Sequence, residues 1–208
     1  MNAQTERLTL SGPAGAIETV RDSATLADGA APRGIAIIAH PHPLFGGTMD
    51  NKVVQTLVRA VVALGWRAVR FNFRGVGASA GAYDEGRGET DDALAVIAAL
   101  RQPGQPLLLG GFSFGSFVAA SAAARLAQAG TPAARLVLVG PATSRFELPP
   151  VPADTVVIHG EADDVVPLQA TLDWARPQVL PVTVIPGVGH FFHGQLTLLK
   201  QQLVQALR

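Results

Sequence analysis

The 208-residue sequence predicts one α/β domain over residues 1–208, with a mostly parallel sheet covered by helices on both faces. Three observations carry that expectation. Short runs that are apolar at nearly every position alternate with longer segments of helical periodicity. The apolar runs lack the in-out alternation of a half-exposed sheet, so both of their faces are covered. Hydrophobic residues make up 48% of the chain and charged residues 15%, enough for an extensive core.

Taken in order, residues 7–10 and 16–21 flank Ser-Gly-Pro-Ala-Gly and predict a hairpin at a sheet edge. Residues 23–33 read as a loop of small residues closing on Pro32. Residues 34–39, Gly-Ile-Ala-Ile-Ile-Ala, predict a buried strand, and the irregular loop His40-Pro41-His42-Pro43-Leu44-Phe45-Gly46-Gly47-Thr48 follows. Asp50 or Asn51 caps the next helix, where Val53, Val54, Leu57, Val58, Val61 and Val62 recur at helical spacing. A strand over 66–73 leads into Arg74-Gly75-Val76-Gly77-Ala78-Ser79. A helix opening near Thr90 ends at Pro103 and Gly104. Residues 106–109 form the central strand, and an Ala-rich helix over 114–128 follows a tight turn. Strands over 135–139, 155–158 and 182–185 and helices near 168–174 and 195–207 complete the chain. Only residues 140–154, rich in proline, separate two of those strands, too few for a helical cap, so an open pocket is expected.

Composition narrows the classes of function. Sixteen basic and sixteen acidic residues balance, so no global field attracts nucleic acid or an anionic membrane. With no cysteine, disulfides, thiolate chemistry and cysteine-based zinc sites are excluded. No stretch approaches the roughly 20 apolar residues of a membrane span, and no signal peptide is read in the polar start. The expectation is a soluble cytoplasmic protein with no cofactor, no metal and no nucleic-acid or membrane partner.

Gly111-Phe112-Ser113-Phe114-Gly115, set between a strand and a helix, reads as a nucleophile elbow. At so sharp a turn the neighbours two before and two after Ser113 have no room for side chains, and both are glycine. The helix that follows offers free N–H groups to a developing oxyanion, Phe114's among them. A serine hydroxyl needs a base, and the base needs an orienting acid. His190, in the loop Gly187-Val188-Gly189-His190-Phe191 after the last strand, can reach Ser113. Asp163 and Asp164 follow the strand before it, and both are candidates for the acid.

The elbow, His159-Gly160-x-x-Asp163-x-x-Val166-Pro167 and Gly189-His190-Phe191 together resemble the α/β-hydrolase superfamily, in the order Ser…Asp…His. The loop from His40 to Lys52 and Phe71-Asn72-Phe73-Arg74-Gly75-Val76-Gly77 are similar to those of small, lidless bacterial α/β-hydrolases described as predicted serine esterases. The resemblance spans about residues 35–192. It implies an α/β-hydrolase fold without a lid domain, with Ser113 as nucleophile, His190 as base and Asp163 as acid. It also implies an oxyanion hole built from Phe114 N–H and a second N–H on the loop after residue 39. Pro41 and Pro43 have none to give, which leaves His42, favoured by the family's pattern, or Leu44. The function implied is hydrolysis of a small-molecule carboxylic ester or thioester through an acyl-enzyme. A peptidase or acyltransferase using the same residues, and a non-catalytic binding protein of the same fold, are the alternatives.

The remaining histidines and aromatics have plainer readings. His40 and His42 shape the oxyanion loop rather than ligate a metal, since no third and fourth ligand are suggested nearby. His159 bonds backbone beneath the acid loop. Arg74 ties down backbone or carboxylates at a tight turn that only superficially resembles a dinucleotide loop. Phe114 and Phe191 are candidates for an acyl pocket.

Overall fold

The computed structural model describes residues 3–24 and 30–208. Eight strands form one sheet: β1 (Ala3–Gly12), β2 (Gly15–Ala24), β3 (Ile35–Ala39), β4 (Arg67–Phe71), β5 (Leu107–Phe112), β6 (Arg135–Val139), β7 (Val156–Gly160) and β8 (Val182–Ile185). Their spatial order is β1-β2-β4-β3-β5-β6-β7-β8. The β1–β2 and β2–β4 pairs are antiparallel, and the other five are parallel. The helices are α1 (Lys52–Ala63), α2 (Arg87–Leu100), α3 (Phe114–Gln128), α4 (Leu168–Ala175) and α5 (Leu196–Ala206). One core lies between the sheet and α2, α3 and α4, and a second between the sheet and α1 and α5. Both faces are covered, so β3 and β5 are buried at every position.

Three expectations shift at their edges. The hairpin strands run further than 7–10 and 16–21, meeting at Gly12 and Gly15 and extending to Ala24, into the segment read as a loop. Residues 25–29 of that expected loop lie outside the described residues. Helix α2 starts at Arg87 rather than near Thr90, because the Glu89 carboxylate accepts from the N–H groups of Asp84 (2.9 Å) and Gly86 (2.8 Å). Strand β5 runs through Gly110 and Gly111 to Phe112, since the ladders from β3 and β6 hold both glycines in register.

Asn51, not Asp50, caps α1, its Oδ1 accepting from Val53 N–H at 2.8 Å. Arg74 meets Asp92 through two parallel bonds, Nε–Oδ2 at 2.9 Å and Nη2–Oδ1 at 2.8 Å, and fixes the loop after β4 against α2. Asn72 fastens that loop in two directions: Oδ1 accepts from Met49 N–H and Nδ2 donates to Glu18. Residues between β6 and β7 contain no helix, so no helical cap from that segment covers the carboxyl ends of the central strands. No described helix is long and apolar enough to cross a membrane.

Candidate active site

The turn after β5 is as sharp as its glycines imply. Ser113 adopts φ 57° and ψ −119°, a sparsely populated conformation for a residue with a side chain. Two close approaches hold it there. A Cβ on Gly111 would stand 2.1 Å from the Gly115 carbonyl oxygen, and one on Gly115 would stand 2.3 Å from that of Ala39. Ser113 N–H donates to Val139 O at 2.9 Å, and the neighbouring Ser116 hydroxyl is spent on Gly111 O at 2.8 Å. The Ser113 hydroxyl makes no hydrogen bond among the described residues and faces a cleft of about 350 Å³. His190, Phe191, Val165, Asn51, Arg145 and the 41–47 loop share that cleft.

Asp163 and His190 reach the site from the loops after β7 and β8. His190 Nδ1 donates to Asp163 Oδ2 at 2.7 Å, with both side chains buried. The imidazole is wedged between Phe112, 4.8 Å away between centroids, and Phe191, 5.1 Å away and edge-on. The other carboxylate oxygen, Oδ1, accepts from Val165 N–H (3.0 Å) and Val166 N–H (2.7 Å). Burial pushes the Asp163 pKa up. The His190 hydrogen bond, the Val166 N–H and the nearby imidazoles outweigh it and hold the carboxyl below its ordinary range. Asp164 is exposed and lines a different hollow. The structure therefore brings Asp163, and not Asp164, to His190. Since Nδ1 carries the proton given to Asp163, neutral His190 presents Nε2 as an acceptor. It makes no hydrogen bond to Ser113, a contact that commonly tightens only with substrate.

Two backbone N–H groups are unspent, one directly after Ser113 and one in the cleft-lining 41–47 loop. Phe114 opens α3 and has no carbonyl a turn back to receive its N–H. His42 N–H has no acceptor among the described residues, whereas Leu44 N–H donates to His42 Nδ1 at 3.3 Å. The Phe114 ring is fully buried, edge-on to Phe73 (5.5 Å) and Phe146 (5.1 Å), so it belongs to the core and is no wall of an acyl pocket. Phe191, 43% exposed, does line the cleft. A larger hollow of about 770 Å³ lies beyond Phe191, with Asp164 and His193 on its wall. It lacks Ser113, and the smaller cleft is the one onto which that hydroxyl opens.

The buried histidines serve the loops. His40 Nδ1 donates to Pro41 O at 2.6 Å, and its Nε2 accepts from Phe73 N–H at 3.0 Å, joining the ends of β3 and β4. His159 Nε2 donates to Val166 O at 2.9 Å, supporting the acid loop from below, and lies 3.3 Å from Asp163 Oδ2. Burial lowers the His159 pKa. No described grouping of three or more His, Asp or Glu has a metal-binding arrangement.

His40 gives a pH dependence of stability with a definite sign. Burial, opposed by the Pro41 hydrogen bond, lowers its pKa from 6.5 to about 4. Between those values the unfolded chain binds a proton that the folded protein does not. The contribution is therefore fully present above about pH 6.5 and declines as the pH falls toward about 4. Urea unfolding at about pH 7 and about pH 4.5 is expected to lose about 2–3 kcal/mol through this residue. His40→Gln should flatten the dependence by that amount, and equal slopes in the two proteins would contradict the assignment.

Comparison with known proteins places the chain in a family. The family described as "Serine aminopeptidase, S33" matches residues 30–153. Protein RP471 of Rickettsia prowazekii, itself uncharacterized, is 34% identical over 197 residues, covering 87% of this chain and 79% of that one. The crystal structure of XC6422 from Xanthomonas campestris, an α/β serine hydrolase without lid, superposes with a TM-score of 0.88 at 38% identity. It covers 100% of this chain and 95% of its own. Lysophosphatidylserine lipase ABHD12 of Danio rerio is 35% identical over 112 residues, 51% of this chain but only 29% of the lipase.

Proposed function

The chain belongs to the serine aminopeptidase S33 family of α/β hydrolases, and from that premise we propose that it cleaves small-molecule carboxylic esters or thioesters in the cytoplasm. Ser113 is the nucleophile, His190 the general base and acid, and Asp163 the residue that orients and stabilises the imidazolium. The observation that carries the proposal is the buried 2.7 Å bond from His190 Nδ1 to Asp163 Oδ2, with the same imidazole lining the cleft of Ser113.

In the first half-reaction His190 Nε2 takes the Ser113 proton as Oγ attacks the acyl carbon. The oxyanion is received by Phe114 N–H and His42 N–H; Leu44 N–H is the weaker candidate because it is already spent on His42 Nδ1. The protonated imidazole then gives its proton to the leaving oxygen or sulfur, and the acyl–heteroatom bond breaks. Water, deprotonated by His190, attacks the acyl-enzyme and returns Ser113 to its free form.

The family's description gives aminopeptidase activity a claim as well, but the cleft argues against it. An aminopeptidase must hold a substrate ammonium group. The residues around Ser113 include no carboxylate and do include Arg145. Wild-type protein should hydrolyse p-nitrophenyl esters from acetyl upward, favour short chains over dodecanoyl because the cleft is small, and show no jump above the substrate's critical micelle concentration. Faster cleavage of aminoacyl p-nitroanilides than of every ester would replace this reading with the peptidase.

A further inference from the structure

Arg145 occupies an unusual place for a cation. It lies in the loop after β6 and lines the same cleft as Ser113 and His190. Its guanidinium carbon sits 5.9 Å from the centre of the Phe45 ring. It makes no ion pair among the described residues, and neither does its near neighbour Glu147. Arg33, Arg59, Arg67, Arg101 and Arg208 likewise make none, but among the arginines only Arg145 is in the lining of this cleft.

The backbone at this point is fixed. The N–H groups of Arg145 and Phe146 both donate to Ala142 O, at 3.1 and 3.0 Å, and the Phe146 ring stacks on Phe117 at 4.9 Å. The residues lining this cleft include no carboxylate: Asp163 is buried behind His190 and spends both oxygens on protein donors, and Asp164 opens onto the neighbouring hollow. An unpaired guanidinium therefore faces a cleft whose lining offers no negative charge. Its field reaches His42, where, after burial, it is the second cause of a lowered pKa.

Resting on the hydrolase reading above, we propose that Arg145 determines specificity and that the preferred substrate is an ester carrying an oxyanion group, carboxylate or phosphate, on the part that extends past Phe45. The planar fork of an arginine suits either group. Hydrolysis itself is unchanged: the acyl–oxygen bond breaks, and water supplies the hydroxyl and the proton.

The test compares matched substrates in wild type and in Arg145→Gln, Arg145→Lys and Arg145→Glu. On the acyl side, mono-p-nitrophenyl adipate is set against p-nitrophenyl hexanoate, which differ by a carboxylate in place of a methyl. On the alcohol side, para-carboxyphenyl butyrate and para-phosphonooxyphenyl butyrate are set against phenyl butyrate. The quantity read is the ratio of kcat/KM, anionic over neutral. At least one wild-type ratio should exceed its Arg145→Gln counterpart by about fivefold, the scale of a partly screened ion pair. Arg145→Lys should keep most of the preference, Arg145→Glu should reverse it, and added salt should shrink it. A preference seen with phosphate alone or carboxylate alone supports the inference and identifies the group.

Ratios that are the same in wild type, Arg145→Gln and Arg145→Glu overturn the role of Arg145 while neutral-ester turnover leaves the hydrolase reading standing. If no ester of either kind is cleaved and Ser113 resists a fluorophosphonate, the hydrolase reading falls and this inference falls with it.

Discussion

Ser113→Ala is expected to lower kcat for ester hydrolysis by on the order of 10⁶-fold, with little loss of stability. The size follows from the way the site is divided. His190 and Asp163 have no substrate bond to act on without a nucleophile, so removing the hydroxyl removes the contribution of all three together. Residual rate over water would come from the two free N–H groups and from binding. Stability should change little because the hydroxyl makes no hydrogen bond, and the turn is held by the Ser113 backbone bond to Val139 and the two glycine approaches. Stopped assays on p-nitrophenyl butyrate with thermal unfolding alongside measure both. Retention of wild-type activity would place the chemistry elsewhere.

Asp163→Asn is expected to lower kcat/KM by about 10⁴-fold, and the surrounding bonds say why. Val165 and Val166 N–H groups fix one oxygen of the side chain and accept no donor in its place. An asparagine must therefore turn its carbonyl to them and its NH₂ toward His190. His190 Nδ1 then becomes an acceptor, its proton moves to Nε2, and the imidazole can no longer receive the Ser113 proton. The His159 Nε2–H, 3.3 Å from Oδ2, would meet that NH₂ as well, adding a donor–donor conflict. Asp164→Asn is expected to leave kcat/KM close to wild type. A larger loss at Asp164 than at Asp163 would reverse the assignment.

The sequence made the central sheet and the elbow readable for one physical reason. Strands covered on both faces need uninterrupted apolar runs, and β3, β5 and β6 carry them. The elbow was legible because steric crowding at Gly111 and Gly115 admits no side chain, so residue identity and geometry are tied. Asp163 was separated from Asp164 only by resemblance, since two adjacent carboxylates look alike until the Val165 and Val166 N–H groups orient one of them.

Other features depend on contacts far apart in the chain. The start of α2 rests on Glu89 reaching back to the backbone of Asp84 and Gly86, which no typical capping residue announces. Phe114 reads as a pocket wall from its place beside Ser113, yet Phe73 and Phe146 enclose it from distant elements. Leu44 stayed open beside His42, the donor the family's pattern favours, until the turn folded its N–H onto the His42 ring. The position of Arg145 is set by the stacking of its neighbour Phe146 on Phe117, and nothing in its local sequence marks it.

The most direct test of the account is covalent labelling with a fluorophosphonate followed by peptide mass spectrometry. The account predicts one adduct, on Ser113, in wild type and none in Ser113→Ala. An adduct on Ser116 or another residue, or no adduct on folded wild-type protein, would contradict the assignment of Ser113 as the nucleophile.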